Sequence, residues 1–398
     1  MGKSASKWIN SSGKNTFLLL ILFCFLITMT LRAQDFDLAV ETAILVDAES
    51  GQVLYEKNSD QKMAPASITK IMALLIAMEE IEKGEISLDD EVTISQYADS
   101  MGGSQIFLAA GTRVKLKDLL KAVTIASAND ASVAVAEAVA GTYSNFISWM
   151  NRKAEELGMS NTHFENSTGL PVEYGEHYTT ARDITIMARE LVRYPQVLEW
   201  ASIWVDYLEL PGREAMLVNT NRLINHYPGM DGLKTGHTSE AGFCLAATAK
   251  RNDLRLISVV MKADTEQERE DMTVRLLDYG FNAFNREQVV KKGDQVQNIE
   301  VPEGKKTVTS AEAANDLYVV IKRGTRGNLE KEVILNTDLK APLAQGEVLG
   351  KIVITQDEKK MAEVNILATE DIERAGFFTR IWRGFVSWLG GLMKKILG

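Results

Sequence analysis

β-prone sequence stands at both ends of a long helical stretch, and this arrangement restricts the possible architectures more than any other pattern in the chain. Residues 42–58, TAILVDAESGQVLYEKN, form two β-rich runs around a Glu-Ser-Gly turn, which predicts a hairpin. From Ser67 to about Tyr194, apolar residues recur at three- and four-residue steps, which predicts several helices. Strand-like runs return at GFCLAATAK and LRLISVVMK before a closing helix. We therefore expect residues 34–284 to form one α/β domain whose sheet joins the two ends of this segment.

The pattern of the sequence changes at about Asn285, where the helical periodicity ends. From there to Ala368 it consists of short β-prone pieces with glycines between them. This pattern predicts a second, smaller all-β domain over residues 285–368. A chain of 398 residues, 45% of them hydrophobic, is long and apolar enough for two folded cores.

Residues 1–33 are typical of a secretory signal peptide. Three lysines precede an unbroken apolar run from Phe17 to Thr28, and Ala33 offers a small residue for cleavage. The apolar run is shorter than the roughly 20 residues that a membrane-spanning helix needs. We therefore expect the mature protein to be exported.

The charge of the expected mature chain is strongly negative. Removal of residues 1–33 takes away four of the 44 basic residues and none of the 54 acidic ones, which leaves 40 against 54 and a net charge of −14. Nucleic acid is therefore not an expected partner. Cys244 would be the only thiol left, so no internal disulfide can form. Its apolar surroundings predict a core residue.

Residues 369–398 are expected to form an amphipathic membrane-anchor helix. From Arg374 onward the segment holds five basic residues and no acidic one. On a helical wheel the large apolar residues share one face and basic residues lie opposite. The apolar face comprises Phe377, Phe378, Ile381, Phe385, Trp388, Leu389, Leu392 and Ile396, and the basic face comprises Arg380, Arg383 and Lys394. This pattern suits an anionic lipid surface, and the alternative is a terminal helix packed on the protein.

Ser67 and Lys70 stand at the head of an apolar helical pattern, where hydrocarbon packing does not favour them. Residues i and i+3 of a helix share one face, so the amine of Lys70 can reach the hydroxyl of Ser67. A serine hydroxyl needs a nearby base to become a good nucleophile. Lysine is such a base only when neutral, and burial, a cationic neighbour and a helix N-terminus all lower its pKa. Alone, Ser-x-x-Lys is more often a capping serine followed by a solvated lysine.

Two further motifs carry polar side chains that could belong to the same site. Ser127 and Asn129, in ASAND, lie in a break between two helical patterns, where they could hold a substrate amide or form a capping turn. Lys234 begins Lys-Thr-Gly at the start of a strand, where its charge can bind a carboxylate and lower the pKa of Lys70. Gly236 would let a substrate backbone approach the strand edge.

These three motifs, in this order and with domain-scale gaps between them, resemble those of the active-site serine penicillin-recognising enzymes. The chain is most similar to the low-molecular-weight D-alanyl-D-alanine carboxypeptidases. The segments MGGSQIFL, NSTGLP, HYTTARD and KTGHT, the β-rich second domain and the tail extend the resemblance over nearly the whole chain. The resemblance implies a β-lactamase/transpeptidase-like fold, an antiparallel sheet with helices, followed by the all-β domain and the C-terminal helix.

The same resemblance implies a serine hydrolase that removes the terminal D-alanine from peptidoglycan stem peptides. Ser67 would attack the carbonyl between the last two D-alanines, Lys70 would accept its proton, and an acyl-enzyme would form. Ser127 would carry the proton to the departing D-alanine, Asn129 would bind an amide of the acyl side, and Lys234 would complete the catalytic set. No cofactor and no metal is expected.

The resemblance also implies how the end of the peptide is bound. Lys234 and Thr235 would face the terminal carboxylate with help from Arg269, for which a solvated position among glutamates is the alternative. Backbone N–H groups of Ser67 and His237 would form the oxyanion hole. β-Lactams would acylate the serine because their strained amide and carboxylate imitate D-Ala-D-Ala. The enzyme would lie on the outer face of the cytoplasmic membrane.

Three other functions compete with this interpretation. A serine β-lactamase would use the same acylation apparatus, but Glu165-Asn166 in ENSTGLP lacks the Glu-x-x-Leu-Asn spacing of class A enzymes. A zinc peptidase is disfavoured because the chain has four histidines and no His-Glu-x-x-His motif. A non-catalytic wall-binding scaffold would not need an intact Ser67. His163 and His177 are expected to be structural.

Overall fold

The computed structural model describes residues 36–173, 175–324 and 329–383. Contacts divide the chain into Met1–Ala39 and Val40–Gly398, and the second unit holds all the elements below. The predicted signal peptide, residues 1–33, lies outside the described residues, and so does the second half of the predicted C-terminal helix, residues 384–398.

The first part of the second unit is built on a five-stranded antiparallel sheet in the order β2-β1-β9-β8-β7. Its strands and those of two small hairpins are β1 (Thr42–Asp47), β2 (Val53–Lys57), β3 (Glu91–Thr93), β4 (Arg113–Lys115), β5 (Val205–Leu210), β6 (Arg213–Val218), β7 (Met230–Thr238), β8 (Gly242–Arg251) and β9 (Leu254–Ala263). Strand β1 pairs with both β2 and β9, so the sheet joins the two ends of the segment as the sequence predicts.

Helices cover this sheet. They are α1 (Lys70–Glu82), α2 (Gln96–Asp99), α3 (Leu116–Ile125), α4 (Asn129–Ala140), α5 (Tyr143–Glu156), α6 (Ala181–Leu191), α7 (Pro195–Ala201) and α8 (Glu266–Ala283). Every residue of β1 is buried, because both faces of a central strand are covered. The residues of α1 from Lys70 to Met78 are also all buried, so α1 is a core helix with a lysine at its first position.

The second part is all β, as predicted. Its strands are β10 (Phe284–Val290), β11 (Gln295–Glu300), β12 (Val308–Ala313), β13 (Leu317–Lys322), β14 (Leu329–Leu335), β15 (Val348–Gln356) and β16 (Lys359–Ala368). Five of them form a sheet in the order β11-β12-β16-β15-β14, and β10 pairs with β13. Apolar side chains from both sheets share one core. The predicted mixed α/β domain followed by an all-β domain is therefore confirmed.

The chain continues on the second part beyond β16 before it becomes helical. Single bridges join Leu343 to Ile372 and Gly304 to Arg374. Residues 377–383 then form a helix, in which Phe378 is 85% exposed. The predicted start of the C-terminal helix at residue 369 is therefore wrong, because the bridges at Ile372 and Arg374 keep the preceding residues on the second part. Within the described ranges, no helix combines the length and the apolar character required to cross a bilayer.

Helix α8 approaches the sheet closely at Gly280. A Cβ at this position would lie 2.5 Å from Leu256 Cδ1 and 2.7 Å from Leu45 Cδ2, and both leucines are fully buried. We expect Gly280→Ala to lower the free energy of unfolding by about 1–3 kcal/mol, since this overpacking outweighs the better helix propensity of alanine. Thermal unfolding of the purified protein measures the change. Asn282→Ala, at an exposed position of the same helix, should have little effect, and a Gly280→Ala variant as stable as the native protein would contradict the prediction.

Candidate active site

Ser67 lies in a 3₁₀ turn, Ala66–Thr69, directly before α1. The sequence pattern placed it at the head of the helix, whereas the structure begins the α-helix at Lys70. In a 3₁₀ turn the side chains at i and i+3 eclipse each other, which brings Ser67 and Lys70 together more directly than an α-helix does. Ser67 is half-buried, while Ile68, Thr69 and Lys70 are fully buried.

The amine of Lys70 has three polar neighbours. Its Nζ lies 3.0 Å from Ser67 Oγ, 2.7 Å from Asn129 Oδ1 and 2.7 Å from the carbonyl oxygen of Thr168. Asn129 Nδ2 donates to the Gly102 carbonyl at 2.7 Å, which fixes the amide so that its oxygen faces the lysine. Both of these oxygens can only accept. A neutral amine has two N–H groups for them and one lone pair, which is left for the hydroxyl of Ser67.

The environment of Lys70 favours this neutral form. The side chain is fully buried, and burial holds its pKa well below the usual value of lysine. The positive charge of Lys234 lowers the pKa further, and the buried carboxylate of Asp130 opposes both effects. Burial is the largest cause, so the net direction is downward.

Ser127 and Asn129 lie at the break between α3 and α4, as the sequence predicts. Ser127 has a φ of +60°, which reverses the chain, and Asn129 is the first residue of α4. No side chain caps α4, so the capping-turn alternative does not describe these two residues. The N–H of Asn129 donates to the Ser104 carbonyl at 2.7 Å, which ties the motif to the loop before β4.

Asp130 is a further polar residue of this site, and sequence analysis did not single it out. Its carboxylate is fully buried and accepts N–H groups of Ile106 and Leu108 at 3.0 Å each and of Ala131 at 2.9 Å. Backbone donors therefore compensate the burial of its charge. Asp130 both fixes the loop against α4 and places a negative charge near Lys70.

Lys234 lies on β7, the edge strand beside the serine turn. Its side chain is 1% exposed, and its Nζ donates to the Thr235 carbonyl at 3.1 Å. Burial, with a smaller contribution from the charge of Arg269, lowers the pKa of Lys234 to about 7. The Thr235 hydroxyl donates to Thr220 Oγ1 at 2.7 Å.

Gly236 has a steric role in addition to the predicted one. The sequence predicts that this glycine lets a substrate backbone approach the strand, and this stays a prediction. In the structure, a Cβ at Gly236 would lie 3.0 Å from the Pro65 carbonyl oxygen and 3.2 Å from the Ala66 Cβ. The missing side chain therefore lets β7 approach the turn that carries Ser67.

Arg269 and His237 lie at the same end of the sheet. Arg269 is 3% exposed, so the solvated alternative is wrong. One of its terminal nitrogens donates to Glu266 at 3.2 Å and to Glu270 at 3.1 Å, while its Nε is buried without a partner among the described residues. The exposed ring of His237 stacks on Phe243 at a centroid distance of 4.0 Å.

The segment Asn166–Leu170 is the second part of the site that sequence analysis missed, although NSTGLP contributed to the resemblance. Asn166 Oδ1 accepts the N–H groups of Thr168 and Gly169 at 3.1 and 2.6 Å, which forms a tight turn. A Cβ at Gly169 would lie 1.7 Å from the Ala66 carbonyl oxygen, so only glycine permits the contact. The Asn-x-x-Gly spacing in the sequence indicates a turn. It does not indicate that the Thr168 carbonyl accepts a hydrogen bond from Lys70.

Comparison with known proteins identifies the family of this chain. Residues 28–265 match the family model described as D-alanyl-D-alanine carboxypeptidase, and residues 284–374 match the penicillin-binding protein 5 C-terminal domain. The D-alanyl-D-alanine carboxypeptidase DacF of Bacillus subtilis (strain 168) is 41% identical over 90% of this chain and 92% of its own. DacA of Haemophilus influenzae is 32% identical over 93% and 96%.

A solved structure leads to the same family. The crystal structure of penicillin binding protein 5 from Haemophilus influenzae aligns with a TM-score of 0.76 and 32% identity, over 86% of this chain and 99% of that one. The match covers both the mixed α/β part and the all-β part. The chain therefore belongs to the D-alanyl-D-alanine carboxypeptidase family of low-molecular-weight penicillin-binding proteins.

Proposed function

We propose that this protein is a serine-type D-alanyl-D-alanine carboxypeptidase that shortens peptidoglycan stem pentapeptides by one D-alanine through an acyl-enzyme on Ser67. The 3.0 Å contact between Ser67 Oγ and the buried, low-pKa amine of Lys70 supports this proposal most strongly. It pairs a nucleophile with a base in the protonation state that the reaction needs.

Acylation begins when Ser67 Oγ attacks the carbonyl carbon between the two D-alanines. Lys70 Nζ takes the hydroxyl proton, and the backbone N–H groups of Ser67 and His237 stabilise the oxyanion. Ser127 passes the proton to the departing nitrogen as the C–N bond breaks. D-alanine leaves, and the shortened peptide stays as an ester on the serine. Asn129 retains one unused amide hydrogen and one lone pair for an amide of the acyl side, beyond its bonds to Lys70 and Gly102.

The carboxylate end of the substrate binds beside β7. The ammonium of Lys234 supplies the charge, the Thr235 hydroxyl turns from Thr220 to donate to the carboxylate, and Arg269 adds a second cation from α8. Water then attacks the ester and releases the tetrapeptide. A β-lactam carries a carboxylate and a strained amide in the corresponding places, so it acylates Ser67 and departs slowly.

Removal of the Ser67 hydroxyl tests the nucleophile. Fluorescent penicillin should label the native protein and leave Ser67→Ala unlabelled, and D-alanine release from a pentapeptide should fall by at least about a thousandfold. Ser148→Ala, an exposed serine on α5, should behave as the native protein. Label on Ser67→Ala would contradict the assignment, and fast hydrolysis of a chromogenic cephalosporin without D-alanine release would favour a β-lactamase.

The pH dependence of the reaction tests Lys234. Its amine loses its proton as pH rises through about 7, so carboxylate binding weakens and kcat/KM for the peptide should fall on the basic side. In Lys234→Arg the guanidinium stays charged, and the basic limb should move to higher pH. The measurement is kcat/KM from pH 5 to 10, with Lys250→Arg, an exposed lysine on β8, as the control. An unchanged basic limb in Lys234→Arg would argue against this role.

We further propose a mature protein with a catalytic domain over residues 34–284, a β-rich domain over 285–368 and a membrane-anchor segment over 369–398, located on the outer face of the cytoplasmic membrane. The start of the last segment supports this orientation. Arg380 donates to Glu303, and Arg383 donates to the carbonyls of Gly304 and Lys305. The opposite face is exposed and apolar, and it comprises Phe377, Phe378, Ile381 and Trp382. Such a face suits insertion at a lipid surface.

Truncation tests the anchor. Deletion of Phe377 to Gly398, which keeps the contacts of Arg374, should yield an enzyme that no longer floats with vesicles containing an anionic phospholipid. D-alanine release by the truncated enzyme should stay within about twofold of the native rate. A matched full-length variant, Phe378→Ser, should bind the vesicles more weakly than the native protein. Equal flotation of the truncated protein would refute the anchor.

A further inference from the structure

His177 connects two segments that meet beside Lys70. Its Nε2 lies 2.9 Å from the hydroxyl of Thr69, the residue between Ile68 and Lys70 in the serine turn. Its Nδ1 accepts the N–H of Glu165 at 3.1 Å, at the start of the segment that carries Thr168. The rings of Phe164 and His177 meet edge to face, with their centroids 5.8 Å apart and an interplanar angle of 69°. This contact holds the imidazole in place.

The hydrogen bonds determine the tautomer of this histidine. Because the N–H of Glu165 is a donor, Nδ1 must carry a lone pair, so the ring hydrogen is on Nε2 and is donated to Thr69 Oγ1. Burial lowers the pKa of His177 to about 4, against the raising effect of Glu165 and with a small lowering by His163. The imidazole therefore stays neutral at physiological pH and keeps one donor and one acceptor.

Each of the two connected segments supplies part of the surroundings of Lys70. The serine turn supplies Ser67, and the other segment supplies the Thr168 carbonyl at 2.7 Å from Nζ. These contacts leave the lone pair of a neutral Lys70 for the serine hydroxyl. A shift of one segment relative to the other would change the direction of that lone pair.

We infer that His177 is a positioning residue for acylation: through Thr69 on one side and Glu165 on the other, it holds the Ser67–Lys70 turn against the segment that carries the Thr168 carbonyl. This inference rests on the proposed function and extends it to a residue that does not touch the substrate. It also gives His177 a role in the reaction beyond the structural one that its sequence context suggests.

The test is the second-order rate constant for acylation by fluorescent penicillin, taken from labelling time courses. His177→Ala should lower it by about ten- to hundredfold, because misplacement of catalytic groups by a fraction of an ångström to an ångström has effects of this size. His177→Gln keeps a side-chain N–H near the position of Nε2, so it should recover much of the rate. Recovery should require the Thr69 hydroxyl: in a Thr69→Val background, His177→Gln should be no faster than His177→Ala.

His163→Ala is the matched control. His163 lies on the strand bridge to Tyr178 and its Nε2 is 3.6 Å from Glu165, so it shares the neighbourhood of His177 without a contact to the serine turn. Its removal should leave the acylation rate within about twofold of native. The labelling endpoint counts competent molecules separately from the rate, so partial unfolding of a variant does not imitate slow acylation.

Three results would overturn the inference. They are native acylation by His177→Ala, rescue by His177→Gln that does not depend on the Thr69 hydroxyl, and equal slowing by His163→Ala. Failure of the proposed function gives a different result, because the native protein itself would then lack label that depends on Ser67.

Discussion

Two lysine amines are buried near each other, and the rest of the site is arranged around the cost of that burial. Lys70 is fully buried and Lys234 is 1% exposed, so two full charges there would each lose hydration and repel the other. Burial is the main cause of a lowered pKa at both lysines. Each amine therefore loses its proton more readily, which reduces the cost of a buried charge. The surroundings that disfavour the charged form of Lys70 thereby favour the neutral amine, which is the form that the proposed reaction needs as its base.

Steric contacts from two distant segments hold the nucleophile turn in this environment. Gly236 on β7 faces the Pro65 carbonyl, and Gly169 faces the Ala66 carbonyl, each at a distance that a larger side chain would not permit. The turn is therefore enclosed between the edge strand and the NSTGLP segment. This arrangement explains how residues more than 100 positions from Ser67 in the sequence lie beside it: backbone contacts between the segments, and not the reach of side chains alone, set the distances.

Sequence analysis predicted the helices and strands whose apolar residues recur at a regular spacing. It missed those that depend on tertiary context. The β1–β2 hairpin and helices α1, α3, α4, α5 and α6 follow from apolar spacing, and the structure has them. The β5–β6 hairpin was not predicted, although Pro211-Gly212 is a turn signal, because the hairpin lies outside the main sheet and is largely exposed. In the site, side-chain motifs identified Lys70 and its neighbours. The Thr168 carbonyl could not be predicted, because a backbone acceptor leaves no trace in residue type.

Both cations of the proposed carboxylate subsite already donate hydrogen bonds to protein groups, although Arg269 Nε has no partner among the described residues. Lys234 donates to the Thr235 carbonyl, and Arg269 donates to Glu266 and Glu270. A substrate carboxylate must replace or join these bonds, and it brings a negative charge beside Lys234. That charge offsets the field by which Lys234 lowers the pKa of Lys70. Since burial is the larger cause, Lys70 stays below the usual pKa of lysine but becomes a stronger base once the carboxylate is bound. In the proposed mechanism, a substrate with the correct terminus would therefore meet a stronger base beside Ser67 than a substrate without it.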